Sequence, residues 1–245
     1  QMEQINVIAE LERLKKKLTE QKLTGPKRQA NGFEVYYPVY SEPVVIKSTS
    51  SNLEQYGIKG RYNDMTFDRL KSLGAPVEDR EVYNQAYKYG AHIREHITNG
   101  RGLILLGPVG TGKTSIAVSI LRRAIEQGYN GYIISMISLL DTLLTLSKGP
   151  TEHYIKFENR IRNIPLLVLD DFGAEYSNAW VANKVESIIS DRVGDRKSTI
   201  ITTNLTVAQI KSSYDGRVYD RLKETSFLLR FKGESNRKPL SDSEI

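Results

Sequence analysis

The octapeptide Gly107-Pro108-Val109-Gly110-Thr111-Gly112-Lys113-Thr114 constrains this chain more than any other stretch. It fills every fixed position of G-x-x-x-x-G-K-[ST], and its surroundings fit as well. The run Leu103-Ile104-Leu105-Leu106 before it reads as a short buried strand. Behind it, Ile116, Ala117, Ile120, Leu121, Ala124 and Ile125 recur at helical spacing until Gly128. Strand, glycine-rich turn and helix are what a phosphate cradle requires. The glycines let the backbone bend until successive N–H groups face inward, and the helix adds the positive end of its dipole. Lys113 supplies a point charge for the β- and γ-phosphates, and the Thr114 hydroxyl is a ligand for Mg²⁺. The expected nucleotide-binding stretch runs from Gly107 through Ser115.

Length and composition narrow the class. At 245 residues and 39% hydrophobic, the chain has room for one full domain plus an appendage, or two small domains. The formal charge of +6 is evenly spread: residues 1–60 hold nine basic and seven acidic side chains, and residues 206–245 hold eight and six. No basic tail stands out, so the charge permits nucleic-acid binding without arguing for it. The absence of cysteine excludes disulfides, thiol catalysis and cysteine zinc sites. No apolar run reaches the ~18 residues of a membrane span and no signal peptide is evident, so a soluble, cytoplasmic protein with no membrane partner is expected. Gln1 before Met2 reads as a tag remnant.

Along the chain, Ile5, Ile8, Leu11, Leu14 and Leu18 fall three or four apart among lysines, which predicts an amphipathic helix over 2–23 stopped by Gly25-Pro26. Such a helix packs on its own domain, on a second copy, or on a partner. Residues 32–60 read as weak strand or ordered arm, then linker, with the domain boundary between about 48 and 62. One helix is expected over 78–98; its His92 and His96 have metal-ligand spacing but no third ligand, so they are expected as surface histidines. Strands are expected at 132–137, 166–170 and 199–202, with helices over 138–147, around 154–164 and over 178–193. Strands alternating with helices of this length predict a parallel sheet with right-handed crossovers.

Chemistry gathers at the carboxyl ends of those strands. Asp170 and Asp171 follow four aliphatic residues, the expected acidic partner of a phosphate loop. Asp170 would hold Mg²⁺, and Asp171 would orient or deprotonate the attacking water. Asn204 follows another apolar strand, where its amide would bond the water and the γ-phosphate.

The phosphate loop, Leu167-Val168-Leu169-Asp170-Asp171-Phe172-Gly173-Ala174-Glu175 and Thr199-Ile200-Ile201-Thr202-Thr203-Asn204 resemble the AAA+ ATPases. More closely they resemble the DnaC/DnaI helicase-loader family and its IstB-like relatives. Gly216-Arg217-Val218-Tyr219-Asp220-Arg221-Leu222 and Phe231-Lys232-Gly233-Glu234-Ser235-Asn236-Arg237 strengthen the match, as does Tyr62-Asn63-Asp64-Met65-Thr66-Phe67. The resemblance implies an α/β fold: an AAA+ P-loop NTPase core with a parallel sheet flanked by helices over 61–245, a truncated C-terminal lid, and a small, mainly helical N-terminal segment over 1–60. It implies an ATPase using ATP/ADP and Mg²⁺. Asn204 becomes the sensor-1 residue, Arg237 the sensor-2 arginine, and Arg221 or Arg217 the arginine finger, with Arg221 favoured. A finger acting in trans implies self-assembly into an ATP-dependent oligomer. Asp171 stands where AAA+ enzymes more often have Glu; one methylene less moves the carboxylate by roughly 1.5 Å, which predicts slow turnover.

The resemblance further implies a helicase loader that binds a DnaB-type hexamer through residues 1–60 and delivers it onto single-stranded DNA in replication initiation. DNA would be gripped by helices around 136–160, with Lys148, Lys156, Arg160, Arg162, Tyr154 and Phe157 as candidate contacts. The alternative is an IstB-type transposition regulator acting on duplex DNA.

Overall fold

The computed structural model describes residues 28–30, 33–35, 53–174, 179–214 and 216–235. The chain divides into two compact units, residues 1–44 and 45–245. In the first, β1 (Arg28–Ala30) pairs antiparallel with β2 (Phe33–Val35). The expected helix over 2–23 lies outside the described residues.

The second unit begins its regular structure with α1 (Phe67–Leu73), α2 (Arg80–Ala91) and α3 (Ile93–Thr98). Then come β3 (Gly102–Leu106), α4 (Lys113–Glu126), β4 (Gly131–Ser135), α5 (Met136–Leu146), α6 (Thr151–Asn163) and β5 (Leu166–Asp170). It closes with α7 (Ala179–Gly194), β6 (Ser198–Thr203), α8 (Val207–Ser213), α9 (Arg217–Thr225) and β7 (Ser226–Arg230). The strand order is β4-β5-β6-β3-β7, with every neighbouring pair parallel. A parallel sheet must be covered on both faces, and alternate residues of each strand divide between two cores. Leu103, Leu105, Val168 and Ile200 pack with α2, α3 and α4, whereas Ile104, Leu106, Leu169 and Ile201 pack with α5, α7 and α9. Leu53 and Ile58, from the stretch expected to hold the linker, are buried in the first of these cores.

Two expected elements shift, and one strand has no counterpart in the sequence pattern. The single helix over 78–98 is two helices broken at His92, whose backbone N–H and ring Nδ1 both meet the Lys88 carbonyl, so the last turn of α2 is closed by that residue. The strand expected over 132–137 ends at Ser135, because the Ser135 hydroxyl accepts the Ser138 N–H and caps α5. The fifth strand, β7, was not anticipated, since Phe227-Leu228-Leu229 follows a helix without a turn signal.

His96 also departs from expectation. His92 is exposed, but His96 is buried, stacked on Tyr89 at 4.2 Å and edge-on to Phe227 at 5.4 Å. No group of three metal-ligating side chains occurs among the described residues. Burial lowers the His96 pKa below its ordinary 6.5, and Nδ1 has no hydrogen-bond partner. Arg192 is fully buried as well. Its guanidinium donates to the carbonyls of Ile161, Arg162, Ile164 and Ser198 and to the Thr199 hydroxyl, joining the end of α6 to the start of β6. Desolvation pulls its pKa down to about 9, which leaves it charged at neutral pH.

Two stability outcomes follow from these buried groups. A histidine held neutral in the fold stabilises fully above about pH 6.5, and that contribution is lost as pH falls through the lower folded value, where the unfolded chain binds the proton. The thermal midpoint should therefore drop between pH 7.5 and 5, and His96→Phe should reduce that drop while leaving the midpoint at pH 7.5 nearly unchanged. Arg192→Met strands four carbonyls and should cost on the order of 3 kcal/mol or more, read by urea denaturation.

Candidate functional site

Parallel pairing sets β6 between β3 and β5, so the residues after Leu106, Leu169 and Thr203 emerge at one edge of the sheet. The phosphate loop spans Gly107 to Gly112. Gly110 (φ 84°) and Gly112 (φ 87°) are left-handed, a conformation that side chains with a Cβ avoid. α4 opens on Gly112 with no side-chain cap, which leaves first-turn N–H groups for a ligand. Lys113 is buried, and its Nζ donates to the carbonyls of Gly107 at 2.8 Å and Pro108 at 2.6 Å. The ammonium is thereby held inside the curve of the loop.

The acidic strand meets the loop directly. Asp170 Oδ1 accepts the Thr114 hydroxyl at 2.8 Å and the Thr202 hydroxyl at 2.6 Å. Burial pushes the Asp170 carboxyl above the ordinary aspartate value; the two hydroxyl bonds and the charge of Arg61 oppose that rise, and Asp171 adds to it. Thr114 and Asp170 form an all-oxygen, hard donor set, which fits Mg²⁺. Asp171 is exposed at φ 53°, with its N–H donating to the Thr202 hydroxyl at 3.0 Å. Asn204 is exposed at the end of β6. Lys113, Thr114, Asp170, Asp171 and Asn204 thus share one sheet edge.

The arginines fall on a different element. Arg217 and Arg221 lie four apart on α9, both exposed, and Arg217 sits 3.7 Å from Glu186 in a solvated pair of little energetic weight. α9 packs its Val218, Tyr219 and Leu222 face into the core. Arg237 lies outside the described residues.

The loop has an outer wall that sequence reasoning missed. Phe231 donates its N–H to the Leu106 carbonyl and crowds Gly107, where a Cβ would come within 2.6 Å of it. Ser235 crowds Gly110 in the same way, and the Tyr83 hydroxyl crowds Gly112 while donating to the Thr111 carbonyl at 3.1 Å. Asp79, fully buried, fastens this wall: Oδ1 accepts the Lys232 N–H at 2.7 Å, and Oδ2 the Gly233 N–H at 3.1 Å. Nothing local to Asp79 announces that role. Thr202, two residues before Asn204, carries no sequence signal of its own for its bond to Asp170.

A second feature lies on α6. A groove of about 840 Å³ is lined by His153, Lys156, Phe157 and Arg160 of α6 together with Tyr56 and Tyr129. Arg160 lies over the Tyr132 ring at 4.1 Å and donates to the Gln55 carbonyl at 2.7 Å. The other candidate contacts are divided. Arg162 is held by Glu158 and Asp191, and Tyr154 by Lys184, so these serve α6–α7 packing, while Lys148 and Lys156 are exposed.

Comparison with known proteins agrees with this geometry. The family model for the IstB-like ATP binding protein matches residues 91–243. An IS21-like insertion-sequence ATP-binding protein of Bacteroides fragilis is 29% identical over 194 residues, 74% of this chain and 73% of its own. The replicative helicase loader DnaI of Bacillus subtilis is 23% identical over 235 residues, 87% of this chain and 73% of its own. Among solved structures, the DnaC helicase loader superposes with a TM-score of 0.63 at 28% identity, covering 71% of this chain and all of that one. The replication initiator DnaA bound to AMPPCP and single-stranded DNA, at 18% identity and TM-score 0.56, shares the fold.

Asp79→Ala frees the 231–235 wall from its clamp. The affinity for a fluorescent ATP analogue should fall about tenfold, with a melting midpoint lower by roughly 5 °C.

Proposed function

We propose a function from one premise: the chain belongs to the IstB-like ATP binding protein family and is an ATPase with the AAA+ fold. On that premise it acts as a replicative helicase loader. Residues 1–60 hold a DnaB-type hexameric helicase, and residues 61–245 assemble with ATP and deliver it onto single-stranded DNA. The observation that carries this reading is the reach of the similarity to DnaI. It takes in 87% of the chain, more than residues 61–245 contain, so it extends into the N-terminal segment. The B. fragilis similarity, at 74%, is no longer than the ATPase part alone.

Each residue has a task in this reading. Within the Gly107–Ser115 stretch, the N–H groups from Val109 onward and the Lys113 ammonium bind the phosphates. Thr114 and Asp170 would hold Mg²⁺, which supplies charge neutralisation at the β- and γ-phosphates. Asp171 orients the attacking water and takes its proton, and Asn204 holds that water against the γ-phosphate. Arg221, with Arg217 beside it, serves the nucleotide of a neighbouring subunit, where a permanent planar charge spreads over several phosphate oxygens; Arg237 approaches its own. The α6 groove supports a single-stranded ligand, since bases stack on Phe157, Tyr56 or Tyr129 while Lys156 and His153 meet phosphates.

Two experiments test this. The full chain should co-elute with the host's replicative helicase on a sizing column with ATP, and a chain starting near Arg61 should not. No helicase complex with either, but ATP-dependent filaments on duplex DNA, would overturn the loader in favour of the transposition regulator. Lys113→Ala and Arg221→Ala should each lose at least tenfold in ATPase rate. Mixed together they should regain activity, because a subunit with an intact loop then meets an intact finger. No recovery on mixing would refute a finger acting in trans.

A further inference from the structure

We propose that Thr202 is a positioning residue that fixes the Asp170 carboxylate and the Asp171 backbone as one unit. The inference rests on the reading of Asp170 as the carboxylate for Mg²⁺.

The geometry is compact. Thr202 is fully buried near the end of β6, and its hydroxyl uses both of its capacities. The O–H donates to Asp170 Oδ1 at 2.6 Å, and the oxygen accepts the Asp171 N–H at 3.0 Å. The Thr202 carbonyl then accepts the Phe172 N–H at 2.8 Å. One residue of β6 therefore holds three consecutive residues of the acidic segment. A carboxylate on a single bond to Cβ rotates freely unless something fixes it. Here Oδ1 lies between two hydroxyls, Thr114 in the first turn of α4 and Thr202 on β6. With Oδ1 held by two hydroxyls on different elements, the carboxylate is presented to the metal in a single orientation.

Asp171 gives a second reason. It holds φ 53°, a left-handed conformation that residues with a Cβ adopt less readily than glycine. Such a conformation persists where surrounding contacts impose it, and the N–H bond to Thr202 is one of those contacts. Thr202 is also the penultimate residue of β6, with Asn204 directly following the strand's end. A shift of the strand end before Asn204 would thus be passed to the Asp170 carboxylate and the Asp171 backbone through one hydroxyl.

Two pairs of variants isolate that hydroxyl in the full chain. Wild type against Thr202→Val differs by O–H replaced with methyl, and Thr202→Ser against Thr202→Ala differs by the hydroxyl alone. Affinity for a fluorescent ATP analogue is measured across a Mg²⁺ titration and again in EDTA, with turnover measured alongside. Thr202→Val and Thr202→Ala should each weaken the apparent Mg²⁺ affinity and slow turnover by about tenfold. Affinity in EDTA should stay within about twofold of wild type, and Thr202→Ser should stay close to wild type throughout. Unchanged Mg²⁺ dependence in Thr202→Val and Thr202→Ala would overturn the proposal, and so would an equal loss with and without Mg²⁺. Asp170→Asn separates the two readings. If it abolishes the Mg²⁺ dependence while Thr202→Val does not, Thr202 is wrong and Asp170 stands; if Asp170→Asn leaves the dependence intact, the metal reading itself fails.

Discussion

The site depends on the position of β6 between β3 and β5. That order makes the carboxyl end of β6 a common neighbour of the phosphate loop and the acidic pair. Parallel pairing, with Leu169 opposite Ile201, then sets Thr202 beside Asp170. No loop has to fold over to create this meeting; three buried strands of five or six residues deliver it. The strands are apolar because both sheet faces are covered, and polar residues enter them only at their ends. The chemistry is concentrated there because the sheet leaves hydrophilic side chains no other place.

A phosphate loop of glycines is soft by itself, and this one is shaped from outside. Phe231, Ser235 and Tyr83 press on Gly107, Gly110 and Gly112, so these positions need glycine for contact as well as for backbone angle. The wall that presses is held by the Asp79 carboxylate, from a turn about thirty residues before the loop, on a segment more than a hundred residues after it. The cradle's rigidity comes from chain that is remote in sequence and adjacent in space.

This contrast explains what the sequence revealed. The phosphate loop, the strand before it and the helix after it were legible because their geometry is local: glycine spacing, an aliphatic run and a 3.6-residue period. Asp170, Asp171 and Asn204 were legible because each ends an apolar run. The burial of His96 and the strand β7 were not, because each is decided by a tertiary neighbour, and the break at His92 was not, because a histidine closing the turn on the Lys88 carbonyl leaves the helical spacing unchanged. His96 is inside because Tyr89 and Phe227 cover it, and no spacing on its own helix predicts Phe227. Asp79 and Arg192 look like ordinary surface charges in sequence, and only burial against backbone groups reveals them. Thr202 lay between the two, visible in a motif but with its hydroxyl's partners on another strand.

Arg192 bears on how the groove on α6 relates to the nucleotide edge. Its guanidinium binds carbonyls at the end of α6 and at the start of β6, and it does so in the core, where bending is costly. A surface network repeats the link from outside. Glu158 on α6 accepts from Lys184 on α7, while Arg162 on α6 reaches Asp191 on α7. α6, α7 and β6 are therefore tied together at two depths. The face of α6 that carries His153, Lys156 and Phe157 belongs to the same tied body as the strand that carries Thr202 and leads into Asn204. A ligand in that groove and a phosphate at the strand end would bear on one packed unit, so displacement of either would be resisted by contacts shared with the other.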